Sequence, residues 1–162
     1  MSQKPLDLSG KKALVVGLGD TGASCVRWLL ERDAEVRGTD SREAPPHARL
    51  LGEAFPEVAL TLGRFAAADF AWADLVVVSP GVAVATPEIA AARAAGKDIV
   101  GDVELFARAI AGSKAKVIAI TGSNGKSTVT SLAGHLCQAA GLDTVVAGNI
   151  GLPVLDALAE RD

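Results

Sequence analysis

The chain contains no tyrosine, and aromatic residues make up only 4% of its 162 residues. Single-stranded nucleic acids bind largely by stacking their bases on aromatic side chains, so this composition disfavours such a partner. The net charge is −3, and no long run of one charge sign occurs. A basic surface for non-specific nucleic-acid binding is therefore absent as well.

Long apolar runs are also missing. No apolar stretch approaches the ~20 residues that a transmembrane helix needs, and residues 1–12 lack the apolar region of a secretory signal. Cys25 and Cys137 lie far apart in apolar helical patterns, which is typical of buried free thiols in a reducing compartment. The missing apolar segments and the free thiols together predict a cytoplasmic protein.

His47 follows two prolines and is expected to be exposed and without function.

Short β-branched runs alternate with amphipathic segments in the first hundred residues. This alternation predicts a parallel sheet with helices on both faces, and hence a Rossmann-like α/β domain over 1–101. The predicted strands lie at 12–16, 35–39, 58–62, 75–78 and 99–100, and the predicted helices lie at 23–32 and 87–95.

The pattern restarts near residue 102 and predicts the beginning of a second α/β unit, a P-loop-type ATP-binding domain, over 102–162. Two strands alone would leave apolar surface exposed unless they docked on the first unit or on another chain. We therefore expect an incomplete domain, and a fragment able to self-associate. Its predicted helices lie at 103–111, 127–140 and 153–158, and its predicted strands at 116–120 and 144–147.

The first glycine loop, Gly-Leu-Gly-Asp-Thr-Gly over 17–22, matches G-x-G-x-x-G between a strand and a helix. In this context the first glycine permits a tight turn, the second allows close approach of a pyrophosphate, and the third allows close helix packing. Asp40 ends the second predicted strand, where an acid could accept hydrogen bonds from a ribose or base. The motif predicts a nucleotide-diphosphate site without specifying the nucleotide.

The second glycine loop, Thr-Gly-Ser-Asn-Gly-Lys-Ser-Thr over 121–128, has the G-K-[ST] ending of a P-loop. Ile120 stands where that motif has its first glycine. Backbone N–H groups of the loop could still surround an anion, and Lys126 could reach β- and γ-phosphate oxygens. The Ser127 hydroxyl could bind Mg²⁺. The loop therefore predicts a nucleoside triphosphate site.

Two phosphate loops on successive α/β units narrow the choice of function. An NAD(P)-dependent oxidoreductase would leave the second loop unexplained, and a stand-alone P-loop NTPase would leave the first one unexplained. A non-catalytic module that holds a UDP-sugar remains a further alternative. An enzyme that activates a carboxylate on a nucleotide-linked substrate with ATP would use both loops.

The segments that carry these motifs resemble the ATP-dependent Mur ligases of bacterial peptidoglycan synthesis. They lie in the family's order over nearly the whole chain, and Ser-Asn-Gly-Lys-Ser-Thr-Val-Thr over 123–130 is the most specific of them. Within the family they are most similar to the ligases that add D-glutamate to UDP-N-acetylmuramoyl-L-alanine. The remaining segments are Val-Val-Gly-Leu-Gly at 15–19, Asp-Ser-Arg at 40–42, Ser-Pro-Gly at 79–81, Gly-Asp-Val-Glu-Leu-Phe at 101–106 and Gly-Asn-Ile-Gly at 148–151.

The resemblance implies a UDP-sugar site in the first unit. Asp20 departs from the family, which more often has an apolar residue there, and a carboxylate beside a pyrophosphate is unfavourable unless it points away. Asn149, in the second unit, would contact the muramoyl portion near the reacting carboxylate. The other implied contacts are Gly19, Asp20, Thr21 and Gly22 at the diphosphate, Asp40, Ser41 and Arg42 at the uracil, and Gly81 beside the ligand.

The resemblance also implies an ATP and Mg²⁺ site, with Lys126 and Asn149 as catalytic residues and Ser127 as a metal ligand. The family reaction passes through an acyl phosphate that the amine of D-glutamate attacks. Family members are longer, usually monomeric, and carry further metal ligands and a third domain. We therefore expect this chain to be an N-terminal portion that is inactive alone. The implied ATP contacts are Gly122, Ser123, Asn124, Gly125, Lys126, Ser127 and Thr128.

Overall fold

The structure, a computed structural model, describes residues 6–161. Residues 1–5, the first part of the segment expected to lack a secretory signal, and residue 162 lie outside the described residues. Within 6–161 the strands form one sheet in the order β3-β2-β1-β4-β5, and all of its pairs are parallel. The strands are β1 (Lys12–Val16), β2 (Glu35–Asp40), β3 (Ala59–Leu62), β4 (Leu75–Val78) and β5 (Asp98–Val100).

Helices connect the strands and continue beyond the sheet. The prediction of a Rossmann-like α/β fold is confirmed, although α1 begins three residues earlier than predicted, and α2 and α3 were not predicted. The helices are α1 (Asp20–Leu30), α2 (Ala48–Ala54), α3 (Ala67–Trp72), α4 (Pro87–Ala94), α5 (Asp102–Ala109), α6 (Lys126–Ala139) and α7 (Val154–Ala159). Among the described residues, no helix is long and apolar enough to cross a membrane.

Side-chain alternation along the central strands builds a separate core on each face of the sheet. Ala13 and Val15 of β1 face the first core, whereas Leu14 and Val16 face the second. All four are fully buried. Successive side chains of a strand point to opposite faces, so a continuous apolar strand is the expected sequence for a sheet covered on both sides. Helices α1 and α2 cover the first face, and α3 and α4 cover the second.

The second predicted unit contributes to the first core. Leu105 of α5 and Leu155 of α7 are at most 1% exposed and belong to the cluster that contains Val26 and Leu29 of α1. Polar contacts join the same helices, because the Ser24 hydroxyl donates to Asp156 Oδ1 and Arg27 Nη2 donates to Asp156 Oδ2, each at 2.8 Å. Helix α7 is therefore held against α1 by both apolar and charged contacts.

The prediction of strands at 116–120 and 144–147 is wrong. Within the described residues neither segment forms a strand, and the only pairing near them is an isolated bridge between Ala147 and Leu152. A strand needs a neighbouring strand to satisfy its backbone, and these two segments do not pair. Val117 and Ile118 are more than half exposed.

Helix α6 carries an apolar stripe at helical spacing, and this stripe faces solvent. Val129, Leu132 and Leu136 are each at least half exposed. Such contiguous apolar surface is uncommon on an isolated soluble domain. The expected self-association of this chain stays a prediction.

Substitution of Asp156 tests how α7 is held. Asp156→Ala leaves the buried Ser24 hydroxyl without its acceptor, and we expect it to lower the free energy of unfolding by about 1–2 kcal/mol. The partly exposed Arg27 pair adds little to this loss. The matched control is Asp143→Ala, which removes an exposed pair with Arg161 and should leave the melting temperature unchanged. Urea unfolding measures both, and equal stability of the two variants would contradict the proposed anchoring.

Candidate functional site

Three of the predicted site segments meet at one edge of the sheet. The strand order places β2, β1 and β4 side by side, and all three end at the same edge because they are parallel. Residues 17–19 follow β1, 41–47 follow β2, and 79–86 follow β4. The chain order reverses between β1 and β4, and ligands of open α/β sheets bind in the crevice at such a point. This edge is the candidate functional site.

The glycine loop after β1 is packed too closely for larger residues. A Cβ atom at Gly22 would lie 1.8 Å from the Gly17 carbonyl oxygen, which is an impossible contact with backbone. Gly17 has φ +92°, and a Cβ there would lie 2.9 Å from Val82 and 3.0 Å from Ser79. The roles predicted for the first and third glycines are therefore confirmed as steric requirements.

The second glycine faces open space. A Cβ at Gly19 would meet no atom within 4 Å, although the same loop is crowded at the other two glycines. Gly19 is also the N-cap of α1, and no side chain caps this helix end. The first N–H groups of a helix lack intrahelical partners and favour an anion in front of them. Gly19 and the following N–H groups therefore line an approach that is open to a diphosphate.

Asp40 is buried and organises the site from within. Its Oδ2 accepts hydrogen bonds from the Leu18 N–H at 2.8 Å and from Arg42 Nη2 at 2.7 Å. Its Oδ1 accepts from the Arg42 N–H and from Arg42 Nε, each at 2.9 Å. The carboxylate thus ties the loop after β1 to the loop after β2. It also holds the half-exposed Arg42 guanidinium at the edge of the site.

The electrostatics of Asp40 follow from these contacts. Burial by itself raises the pKa of a carboxyl group, but hydrogen bonds from the Arg42 side chain and from the Leu18 and Arg42 N–H groups lower it more strongly. The net result is a pKa of about 2, below the ordinary 3.8. The same contact raises the pKa of the Arg42 guanidinium. Asp40 is therefore ionised, with both of its oxygens already accepting protein hydrogen bonds.

The loop after β4 contacts the glycine loop directly. The Ser79 hydroxyl donates to the Gly17 carbonyl at 2.9 Å, and the Ser79 N–H donates to Val16. Gly81 is exposed two residues further on, and a Cβ there would meet nothing within 4 Å. The structure therefore places Gly81 beside the crevice, next to the first glycine loop.

The other predicted contacts of this site differ in their surroundings. Thr21 is half-buried in the first turn of α1, and Ser41 is exposed after β2. The Asp20 side chain is 88% exposed. Its Oδ1 lies 2.6 Å from His47 Nε2. His47 is half-buried and bonded to Asp20, so the expectation that it is exposed is wrong, whereas the expectation that it has no function is not tested by this contact.

The second glycine loop has the shape of an anion site but remains exposed. Gly125 adopts the left-handed conformation and is the N-cap of the 14-residue helix α6, whose first turn contains no acidic residue and no side-chain cap. Lys126 Nζ folds back onto the loop and donates to the carbonyl oxygen of Gly122 at 2.6 Å. The predicted contacts Gly122, Ser123, Asn124, Gly125, Lys126, Ser127 and Thr128 are all exposed.

No hydrogen bond within the described residues connects Asn149 to another predicted site residue. Asn149 lies exposed in a turn that the Gly148 N–H closes onto the Leu152 carbonyl at 2.8 Å. Within residues 6–161 its side chain forms no hydrogen bond. The catalytic role implied for Asn149 stays a prediction.

Sequence reasoning missed the structural roles of Ser79 and His47. Ser79 supports the Gly17 carbonyl, and neither its position at the end of a buried strand nor its place in the Ser-Pro-Gly segment indicates this contact. His47 contacts Asp20 across 27 residues, which no local pattern indicates. Among the described residues, no group of three or more histidine, cysteine or acidic side chains could hold a metal ion.

Comparison with known proteins identifies the family that has this arrangement. The family model described as "Mur ligase MurD-like, N-terminal domain" matches residues 11–101, more than half of the chain. The chain belongs to the MurD-like Mur ligase family. The matched residues include β1 to β5 and all three loops of the candidate site. The resemblance seen in the motifs is thereby confirmed, and the family decides against the oxidoreductase alternative.

Curated relatives extend the match to nearly the whole chain. A protein of Thiobacillus denitrificans named UDP-N-acetylmuramoylalanine–D-glutamate ligase is 57% identical, over 99% of this chain and 36% of its own length. Proteins of the same name from Methylobacillus flagellatus and Chromobacterium violaceum are 56% and 55% identical. The chain spans about a third of the length of these MurD-like relatives.

Solved structures support the same fold. The chain superimposes on UDP-N-acetylmuramate-alanine ligase MurC of Thermotoga maritima with a TM-score of 0.55 and 23% identity, over 80% of this chain and 30% of that one. A pseudomurein peptide ligase type C from Methanothermus fervidus gives a TM-score of 0.52 and 21% identity, over 82% of this chain and 27% of that one. At these identities the likeness shows the fold alone.

Proposed function

We propose that this chain provides the UDP-binding domain, and the beginning of the ATP-binding domain, of a ligase that joins D-glutamate to UDP-N-acetylmuramoyl-L-alanine. The observation that carries the proposal is the crevice between β1 and β4, where the crowded Gly17 and Gly22 flank an open Gly19. The names of the curated relatives supply the substrates. We place the domain boundary at 101/102 and the reaction in the cytoplasm.

The first unit would hold the nucleotide end of the substrate. The diphosphate would lie in front of the α1 N-terminus, on the N–H groups of Gly19, Thr21 and Gly22. Arg42 and Ser41 would face the uracil, with Asp40 fixing the Arg42 guanidinium rather than contacting the ligand itself. Gly81 would allow the ligand to pass close to the loop after β4.

The second unit would hold ATP on residues 122–128. An uncapped helix end, a left-handed Gly125 and the positive charge of Lys126 fit the phosphates of a nucleotide. The Ser127 hydroxyl would bind Mg²⁺ together with phosphate oxygens. The bound ion would supply positive charge to neutralise the transferred phosphoryl group. The described residues offer no acidic cluster near Ser127, so further metal ligands would have to come from other parts of the whole enzyme.

The proposed reaction divides between the two units. The γ-phosphoryl group would pass to the carboxylate of the L-alanyl residue and form an acyl phosphate, and the D-glutamate amine would then displace phosphate. Lys126 would stabilise charge on the phosphoryl group, and Asn149 would orient the substrate near its carboxylate. The chain spans about a third of the length of its relatives, and the expectation that it binds nucleotide without ligation stays a prediction.

Isothermal titration calorimetry of the 162-residue chain tests the proposal. We expect heat with UDP-N-acetylmuramoyl-L-alanine and with UDP, and none with NADH. Binding of NADH alone, or no binding by a chain whose melting curve shows it to be folded, would overturn the UDP site. ATP with Mg²⁺ belongs in the same series, and binding that Lys126→Ala abolishes would support the second site. Ligase turnover that persists through further purification would contradict the expected inactivity.

A further inference from the structure

Asp20 and His47 form a contact at the mouth of the glycine loop that the proposed function does not use. Asp20 is the first residue of α1, directly after the open Gly19. Its Oδ1 lies 2.6 Å from Nε2 of His47, which immediately precedes α2. A carboxylate can only accept, so the Nε2 atom of His47 carries the proton of this hydrogen bond.

A carboxylate at this position opposes the binding of an anion. The α1 N-terminus carries partial positive charge and favours an anion. A diphosphate in front of Gly19 would compete with the Asp20 carboxylate for this positive helix end. Two negative charges a few ångströms apart also repel each other, even in solvent. The direction in which Asp20 points therefore affects how tightly the site holds a diphosphate.

His47 is a well-anchored partner for this carboxylate. Its carbonyl oxygen accepts from the Leu51 N–H at 2.9 Å, and the neighbouring Pro45 and Ala48 are buried. The imidazole is 29% exposed, whereas the Asp20 side chain is 88% exposed. The histidine is thus the fixed member of the pair and draws the carboxylate toward the loop between β2 and α2.

The two arginine side chains nearest to His47 in sequence form ion pairs with other carboxylates. Arg42, on the same loop as His47, bonds to Asp40 through its side chain. Arg49, in the first turn of α2, pairs with Glu53. Neither contact involves Asp20, which leaves His47 as the partner that the structure gives to this carboxylate.

We propose that His47 is a positioning residue that holds the Asp20 carboxylate away from the diphosphate of the bound nucleotide. The inference rests on the proposed function, because it requires a diphosphate in front of Gly19. Removal of His47 frees the Asp20 carboxylate to approach the phosphates, and removal of the Asp20 charge makes His47 dispensable.

A double-mutant cycle on UDP affinity tests the proposal by calorimetry on the 162-residue chain. His47→Ala should weaken UDP binding about five- to tenfold, because the carboxylate is released. Asp20→Asn should bind UDP a few-fold more tightly than the unmodified chain. The double variant should bind like Asp20→Asn, and His47→Gln, whose amide can still donate to Asp20, should keep most of the affinity.

Controls separate electrostatic positioning from loop structure. The loss in His47→Ala should shrink when salt is raised from about 0.05 M to about 0.5 M, because screening weakens charge repulsion. His135→Ala removes an exposed histidine on α6 and should leave UDP affinity unchanged. Melting curves report whether each variant is folded.

Two results would overturn the proposal while leaving the UDP site intact. One is a His47→Ala chain that binds UDP as tightly as the unmodified protein. The other is an equal loss on removing His47 in the Asp20→Asn background, which would make His47 a support of the loop alone. A folded, unmodified chain that binds no UDP would instead overturn the proposed function, and this inference with it.

Discussion

Gly22→Ala is expected to lower the free energy of unfolding by about 3 kcal/mol, or the melting temperature by about 6–12 °C. The added methyl carbon would lie 1.8 Å from the Gly17 carbonyl oxygen, and no rotation of a flexible side chain can relieve a contact with backbone. The helix or the loop must shift instead. Because this shift disrupts the close approach of α1 to β1, UDP binding should be lost as well.

Two other glycines provide matched controls for this substitution. Gly19→Ala meets no atom within 4 Å and has a negative φ, so we expect it to melt like the unmodified chain but to bind UDP at least tenfold more weakly. Gly52→Ala, in the middle of α2, should stabilise the chain by about 0.5–1 kcal/mol. Thermal melts and UDP titrations distinguish the Gly22→Ala, Gly19→Ala and Gly52→Ala variants. A Gly22→Ala chain as stable as Gly19→Ala would contradict the loop geometry.

Asp40→Asn should have the second large effect, a loss of about 3 kcal/mol together with at least a tenfold loss of UDP affinity. The variant keeps the size of the side chain but places an amide donor against the Leu18 N–H or the Arg42 guanidinium. Leu18 is fully buried, so water cannot replace the lost acceptor. Arg42 then loses the contact that fixes it at the crevice.

The matched control for Asp40→Asn lies at the opposite edge of the sheet. Asp74 accepts one hydrogen bond, from the Lys12 N–H at 3.2 Å, and is exposed. Asp74→Asn should therefore change neither stability nor UDP affinity appreciably. Urea unfolding and calorimetry measure both variants, and a similar loss in the two would argue against a special role for Asp40.

The pH dependence of stability gives an independent test of Asp40. Its pKa is lowered from 3.8 to about 2 in the folded protein, so its contribution is fully present above about pH 4. That contribution falls as pH drops from about 4 to about 2, because the unfolded chain then binds the proton more readily. The difference in unfolding free energy between the unmodified chain and Asp40→Asn should shrink over this interval. A difference independent of pH would show that ionisation of Asp40 does not matter.

The sheet and its loops were predictable because their signals are local. The strands of the first unit are short, and Ala13–Val16 of β1 and Leu75–Val78 of β4 are buried, continuous apolar segments, as a doubly covered parallel sheet requires. The spacing of Gly17, Gly19 and Gly22 reports the turn and the close packing directly. Helices α2 and α3 were not predicted because they contain only seven and six residues, which is too short to show a clear helical spacing of apolar residues.

The errors arise where structure depends on distant partners. Residues 116–120 have a strand-like composition, but a strand also needs a neighbour, which composition does not report. The same applies to side-chain roles. The placement of Asp40 near the nucleotide stays a prediction, but the sequence did not indicate the four hydrogen bonds by which Asp40 joins Leu18 to Arg42. The contact of Asp20 with His47 was equally invisible, since 27 residues separate them.

The contribution of α5 and α7 to the first core has a consequence for synthesis on the ribosome. The family model ends at residue 101, yet Leu105 and Leu155 lie in the same core as Val26. At about 5–20 residues per second, the 54 residues between 101 and 155 take about 3–11 s to synthesise. During that time the nascent α1, which bears the glycine loop at its start, has an incompletely covered apolar face. The newborn domain is therefore a natural client for a chaperone until α7 emerges.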